Sequence, residues 1–197
     1  MYNYDNMEGI MENKIYYTVS SIDDEKLYKS TNLPKTILDH VKKYHGIDDA
    51  KKSIIAYNIL KNMLHKFSHN SIEDVYFHES GKPCVEDGYI SISHSNKLIV
   101  VSYGHSKTGI DIEKIGHASR GIYSKIFTKE ELPNVTNTDF YKRWTLLESK
   151  VKMNDSNIFD FENLDKYNAF SSIEKYDEEE YVLTIITDDK DAKFERI

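Results

Sequence analysis

The sequence predicts an α+β fold, and three observations carry that reading. Segments rich in aromatic and β-branched residues stand at 14–22 (KIYYTVSSI), 98–104 (LIVVSYG) and 181–187 (YVLTIIT), and each reads as a strand. Two long segments with helical periodicity, 50–67 and 139–153, lie between them. Strands and helices alternate without a regular βαβ rhythm, which points away from a doubly wound parallel sheet. A chain of 197 residues is long enough for one large domain or for two small halves that share a core. The expected organisation is a loose segment at 1–13, an N-terminal lobe at 14–104 and a C-terminal lobe at 105–197, with the seam near 103–108.

The elements follow in chain order. The first 13 residues are polar and without periodicity, and Met11 could serve as a second start. After the strand at 14–22, Pro34 precedes a helix expected over 35–44. Asp48 and Asp49 mark the N-terminal turn of the helix at 50–67, where Ile54, Ile55, Ile59, Met63 and Leu64 recur near helical spacing. Residues 75–95 read as strand, turn, strand: Gly81 breaks the first strand and Pro83 holds Lys82 extended. Ile90 and Ile92 alternate with Ser91 and Ser93, the period of a half-buried strand. The apolar run at 98–104 is expected to be central. Residues 106–113 form the next strand, with Ile110 and Ile112 facing one way and Asp111 and Glu113 the other. A short helix is expected at 123–126. Thr128 then stands three residues before Glu131, a capping-box spacing. In the helix at 139–153, Phe140, Trp144, Leu147 and Val151 form an apolar stripe, with Glu148 and Lys152 at its edge.

Composition bounds the class. Hydrophobic residues are 39% and charged residues 30%, which is ordinary for a globular protein and unlike a disordered one. No apolar run reaches the ~20 residues of a membrane helix, and no basic-then-apolar leader opens the chain. The single cysteine, Cys84, fits a reducing compartment, so the cytoplasm is the expected location. A net charge of −7 argues against general nucleic-acid binding. Lysines cluster in the first third, while Asp177, Glu178, Glu179 and Glu180 make an acidic run near the end. A local basic patch on an acidic chain suits a small polyanion, and lysines that merely solvate helix faces would show the same distribution.

The chemistry-bearing residues fall in two stretches. In GIDIEKI, Asp111 and Glu113 put two hard oxygen ligands on one strand face, which suits Mg²⁺ held jointly by carboxylates and phosphate oxygens. A surface carboxylate pair would show the same spacing. In RWTLLESKVK, which starts roughly 35 residues later, far enough for a crossover connection, Glu148 and Lys152 stand four apart on a helix. They could form a simple i, i+4 pair worth ~0.3–0.5 kcal/mol, or a third metal ligand beside a phosphate-seeking ammonium. Lys82, set before Pro83 in a tight turn, presents a charge on a stiff support. Ser93, His94 and Ser95 end a strand with donors able to reach a phosphate.

These residues, in this order, resemble a known family. GKPCVEDGYISISHS, then GIDIEKI, then FTKEEL, then W-T-x-x-E-S-x-x-K is similar to the 4′-phosphopantetheinyl transferases of the larger, surfactin-synthetase-activating branch. The likeness spans 81–152 and weakens upstream. It implies a monomer of two similar α+β lobes, a pseudo-dimer within one chain, with coenzyme A in the cleft between them. The implied reaction is Mg²⁺-dependent transfer of 4′-phosphopantetheine from coenzyme A to a serine of an apo acyl or peptidyl carrier protein, releasing adenosine 3′,5′-bisphosphate. By motif position, Asp111, Glu113 and Glu148 would hold the metal, and Lys152 would neutralise a pyrophosphate oxygen. Lys82, Pro83, Ser93 and His94 would bind coenzyme A. Lys52 falls where the family has a basic contact to the adenosine end, often arginine, and Lys35 is a further candidate. The base for the carrier serine would be Glu148 or Glu131. One departure stands out: the family usually has lysine immediately before the helix glutamate, and here it is Leu147, with Lys150 an additional charge one turn along. Two other classes fit the same residues: a coenzyme A or carrier-binding module with lost catalysis, and a Mg²⁺-dependent phosphohydrolase.

Overall fold

The computed structural model describes residues 14–197 apart from 31, 45, 156–157 and 159–163, with backbone alone at 120. The expected loose segment 1–13, including Met11, lies outside the described residues. In chain order the elements are β1 (Lys14–Ser21), α1 (Glu25–Tyr28), α2 (Lys35–Val41), α3 (Ile47–Phe67), β2 (Tyr76–Phe77), β3 (Pro83–Cys84), β4 (Tyr89–Ser95) and β5 (Leu98–Gly104). They continue with β6 (Thr108–Lys114), α4 (Arg120–Ile126), α5 (Asn137–Asn154), β7 (Asn168–Tyr176), β8 (Glu179–Thr187) and β9 (Lys193–Arg196).

Two sheets organise the molecule, one ordered β4-β5-β1-β9 and one ordered β6-β8-β7. Pairing is antiparallel except between β1 and β9, which run parallel. The C-terminal strand therefore crosses back to the sheet that the N-terminal strand begins. As expected, β5 is central, and every one of its residues is buried.

The first sheet is covered by α3. Ile55, Ile59, Leu60, Met63 and Leu64 pack with Tyr16, Ile90, Ile99 and Val101 in the largest core cluster. Each fully buried side chain of this kind contributes about 1.5–3 kcal/mol through its removal from water. The opposite face of the same sheet, through Ile15, Tyr17, Leu98 and Val100, meets Ile110, Ile112, Leu183 and Ile185 of the second sheet. Ile110 and Ile112 thus point into the inter-sheet core, and the alternation of β6 turns Asp111 and Glu113 the other way, toward α5.

Helix α5 packs on that other face in a manner the apolar stripe did not predict. Its stripe residues Phe140 and Leu147 turn aside to join Ile126 and Phe127 in a small cluster with the α4 region. Small polar residues face the sheet instead. Thr145 Oγ1 lies 2.7 Å from Thr184 Oγ1, and Ser149 Oγ donates to the Thr184 carbonyl at 3.0 Å. The reason is proximity. A Cβ built on Gly109 would come 2.0 Å from the Ser149 carbonyl oxygen, so only glycine lets the helix approach the strand this closely.

Several boundaries moved for local reasons. Helix α5 begins at Asn137 because Thr136 and Asp139 form a reciprocal capping box. Helix α3 begins at Ile47, which brings Asp48 and Asp49 into the first turn, where the helix dipole favours them. Helix α2 ends at Val41, and the chain then tightens: Lys43 N bonds to His40 O and Tyr44 N to Val41 O. Two strands had no counterpart in the sequence reading, β7 and β9. The acidic run proves to be a hairpin, with Asp177 and Glu178 both at positive φ in the two-residue turn between β7 and β8.

Candidate active site

Strands β4 and β6 are edges of different sheets, and serine side chains stitch them together. Ser91 Oγ accepts from Ile110 N at 3.0 Å, and Ser95 Oγ accepts from Lys114 N at 3.0 Å. Ser93 Oγ donates to Asp111 Oδ1 and Ser95 Oγ donates to Glu113 Oε2, each at 2.7 Å. The alternation of serine with isoleucine in β4 therefore places a polar row on the seam and an apolar row in the core. Ser91 and Ser93 are buried, so this face is an interface and not a solvated surface. Ser95 is committed to a carboxylate.

Across the seam stands the last turn of α5. Lys152 Nζ lies 2.6 Å from Asp111 Oδ1 and 2.7 Å from Ser93 Oγ. Lys82 Nζ reaches the same turn and donates to the Lys152 carbonyl at 2.5 Å, a lysine satisfying an open carbonyl at a helix C-terminus. An i, i+4 pair with Glu148 is one of the two readings of Lys152 open in the sequence; in the structure the ammonium sits on the strand carboxylate. Asp111 is 3% exposed, and its Oδ2 is buried without a hydrogen-bond partner among the described residues.

The carboxylates feel one another. Burial pushes the Glu113 carboxyl above its ordinary range, opposed by the Ser95 hydrogen bond and reinforced by the charges on Asp111 and Glu148. Burial likewise raises Glu148, with the Asp111 charge adding to it and Lys152 opposing it. Among the described residues, no three His, Cys, Asp or Glu side chains converge closely enough to hold a metal ion as they stand. The donor set still suits one. Asp111 carries an orphaned buried oxygen, two further carboxyls are held in unfavourable surroundings, and all three supply the hard oxygen that Mg²⁺ takes.

A pocket of about 440 Å³ opens beside this group. Lys82, Pro83, Ser93, His94 and Lys152 line it, and its far wall includes His40 and Tyr57. The His40 ring stacks on Phe77 with centroids 3.9 Å apart, and Tyr57 meets both edge-on. Burial lowers the His94 pKa, with the positive charge of Lys52 next in effect. Lys52 is 8% exposed and pairs with Asp49 at 2.8 Å.

Other candidates lie elsewhere. Lys35 is exposed at the start of α2. Glu131 is bound by Arg143 through both carboxylate oxygens and also accepts from Thr128 N, and these contacts hold its pKa down. It borders a separate pocket with Phe127 and Arg143. The structure brings neither residue to the Asp111 group. Leu147 is 1% exposed in its apolar cluster, and Lys150, one turn on, is 4% exposed. Sequence reasoning missed Gly109, whose signal was a glycine inside a strand, and it missed His40 and Tyr57, which carried no legible signal.

No protein-family model matches the chain. It is 26% identical over 123 residues to 4′-phosphopantetheinyl transferase ffp of Bacillus subtilis, covering 56% of this chain and 55% of that protein. It is 27% identical over 135 residues to 4′-phosphopantetheinyl transferase gsp of Aneurinibacillus migulanus, covering 64% and 57%. The matched stretch thus spans a little over half the length of these curated relatives. The resemblance carried by the motifs is matched by pairwise similarity to two curated proteins, and this chain is similar in sequence to 4′-phosphopantetheinyl transferases.

Proposed function

We propose that this protein transfers the 4′-phosphopantetheine group of coenzyme A to a serine hydroxyl of an apo acyl or peptidyl carrier protein. One observation carries the reading: residues from four separated segments, Lys82, Ser93, Asp111 and Lys152, form one connected polar cluster beside a pocket of small-ligand size. Similarity to the two curated transferases supports it. The two sheets, each with its own covering helix, suit a two-lobed arrangement with a boundary near 103–108, except that β9 (193–196) belongs to the first sheet.

The carrier serine oxygen attacks the phosphorus that bears the pantetheine arm. The bond from that phosphorus to the bridging oxygen breaks, and the bridging oxygen leaves with adenosine 3′,5′-bisphosphate. Such a transfer asks mainly for positioning and charge neutralisation. Asp111, Glu113 and Glu148 are the residues that would hold Mg²⁺. When bound, Mg²⁺ supplies positive charge against the pyrophosphate oxygens. Lys152 turns from Asp111 to a pyrophosphate oxygen, and Lys82 and His94 line the place of the diphosphate and adenosine. Glu148 would take the serine proton through the carboxylate oxygen that the metal leaves free. Glu131, tied to Arg143, is the poorer candidate.

Incubation with coenzyme A, Mg²⁺ and several apo carriers, followed by intact mass of each carrier, tests the reading. One phosphopantetheine added to a carrier supports it; no gain on any carrier contradicts it. A second reading, a coenzyme A or carrier-binding module without efficient catalysis, is favoured by Leu147, which buries an apolar side chain where the family usually has a charge. Binding of coenzyme A without mass gain would select it. Breakdown of coenzyme A in the absence of carrier would select a phosphohydrolase.

A further inference from the structure

We propose that Lys152 is a built-in stand-in cation for Asp111, and that it cedes this carboxylate to a divalent metal only when a phosphate-bearing ligand takes up its ammonium. The inference rests on reading Asp111 as a metal ligand. A carboxylate as buried as Asp111 needs a positive partner. In the ligand-free protein that partner is Lys152, with Nζ 2.6 Å from Oδ1. Ser93 locks the contact: its hydroxyl donates to Asp111 Oδ1 and accepts from Lys152 Nζ, each at 2.7 Å. Lys82 pins the Lys152 carbonyl at 2.5 Å, so release requires rotation of the Lys152 side chain and no movement of the helix.

The geometry supplies an exit. The Lys152 side chain is 28% exposed, against 4% for Asp111, and it lines the same pocket as Lys82 and His94. A phosphate in that pocket offers the ammonium a new partner within the reach of its own side chain. A metal arriving alone must displace the ammonium with no such partner. Metal and phosphate ligand should therefore bind cooperatively, and by linkage each strengthens the other equally. Lys152 then acts as a positioning residue before it acts on substrate, excluding a lone metal from the carboxylates.

Titration of Mn²⁺ into the full chain, read by electron paramagnetic resonance of the free ion, tests this with no need for turnover. Wild type alone should bind weakly, and coenzyme A should tighten binding by about tenfold or more, within the ~5–150-fold range of ordinary coupling. Lys152→Met should bind Mn²⁺ more tightly than wild type without coenzyme A, and coenzyme A should then tighten binding by a smaller factor than in wild type. Ser93→Ala, which alters no charge and should fold even if Lys152→Met does not, should move in the same direction by a smaller factor. Lys152→Met binding Mn²⁺ no more tightly than wild type would overturn the proposal. So would a tighter Lys152→Met beside an unchanged Ser93→Ala, which reduces the effect to a lost nearby charge. The underlying metal reading fails separately, and takes the proposal with it, if wild type with coenzyme A binds no Mn²⁺ or if Asp111→Asn binds as well as wild type.

Discussion

The two sheets are covered by their helices in opposite ways. Helix α3 lies on the first sheet through Ile55, Leu60 and Leu64, a contact made of branched apolar side chains. Helix α5 lies on the second through Gly109, Thr145, Ser149 and Thr184, a contact made of a missing side chain and three hydroxyls. The first arrangement is tolerant: apolar packing is non-directional, and neighbours relax around a change. The second fixes one helix at one distance and rotation. That helix carries Lys152, which contacts Asp111, and Glu148, which the proposed function places at the same site. The adaptable packing lies under the first sheet and the directional packing under the proposed site.

Substitutions can break this contrast. Gly109→Ala should have the largest effect. Its Cβ would meet backbone at 2.0 Å, so α5 must move, and misplacement by about 1 Å can cost ~10²-fold in rate. Leu60→Ala is the counterpart under α3, where a buried leucine costs about 2–5 kcal/mol on truncation. Melting curves with rates on the folded fraction should separate them: Leu60→Ala loses stability and keeps its rate, and Gly109→Ala loses rate out of proportion to stability. Equal rate losses would erase the contrast.

Leu147→Ala should come next, costing about 2–4 kcal/mol because the side chain is 1% exposed in the cluster with Phe127 and Phe140. Denaturant unfolding measures it, and a loss below about 1 kcal/mol would show that Leu147 is not a core residue. The smallest effect belongs to His94. Its folded pKa lies below the ordinary 6.5, chiefly through burial. Between the folded value and 6.5 the unfolded chain holds more protons, so stability rises with pH there and is lost as pH falls through the window. His94→Gln should remove that slope, and the difference between the two stability–pH curves reads it. A parallel pair of curves would place His94 in a more solvated setting.

Much of this was legible in the chain, and the remainder was hidden for physical reasons. Strand β6 could be read because its isoleucines and carboxylates alternate cleanly between core and seam. Strand β7 could not: Ala169 and Ile173 are exposed while Asn168 and Glu174 turn inward, so polarity does not track the period. Strand β9 is four residues long and exists through parallel pairing with β1, at the far end of the sequence. The resemblance of the motifs to a known family implies one site for Lys82, Ser93, Asp111 and Lys152, and spacing alone gives only the separate pairs Asp111/Glu113 and Glu148/Lys152. The direction of Lys152, onto Asp111 across the seam, depends on a helix-to-strand distance set by Gly109; a glycine inside a strand signals a close approach but does not say which element makes it.

Asp111→Asn asks whether the Asp111–Lys152 seam is a transfer site. The change keeps the shape and removes the charge. Wild type and variant, both shown to be folded by circular dichroism, would be incubated with coenzyme A, Mg²⁺ and an apo carrier that wild type modifies, and the carrier would be weighed. With a transfer site at this seam, wild type adds one phosphopantetheine and the variant leaves the carrier unmodified. A carrier modified at comparable rate by folded Asp111→Asn would contradict it.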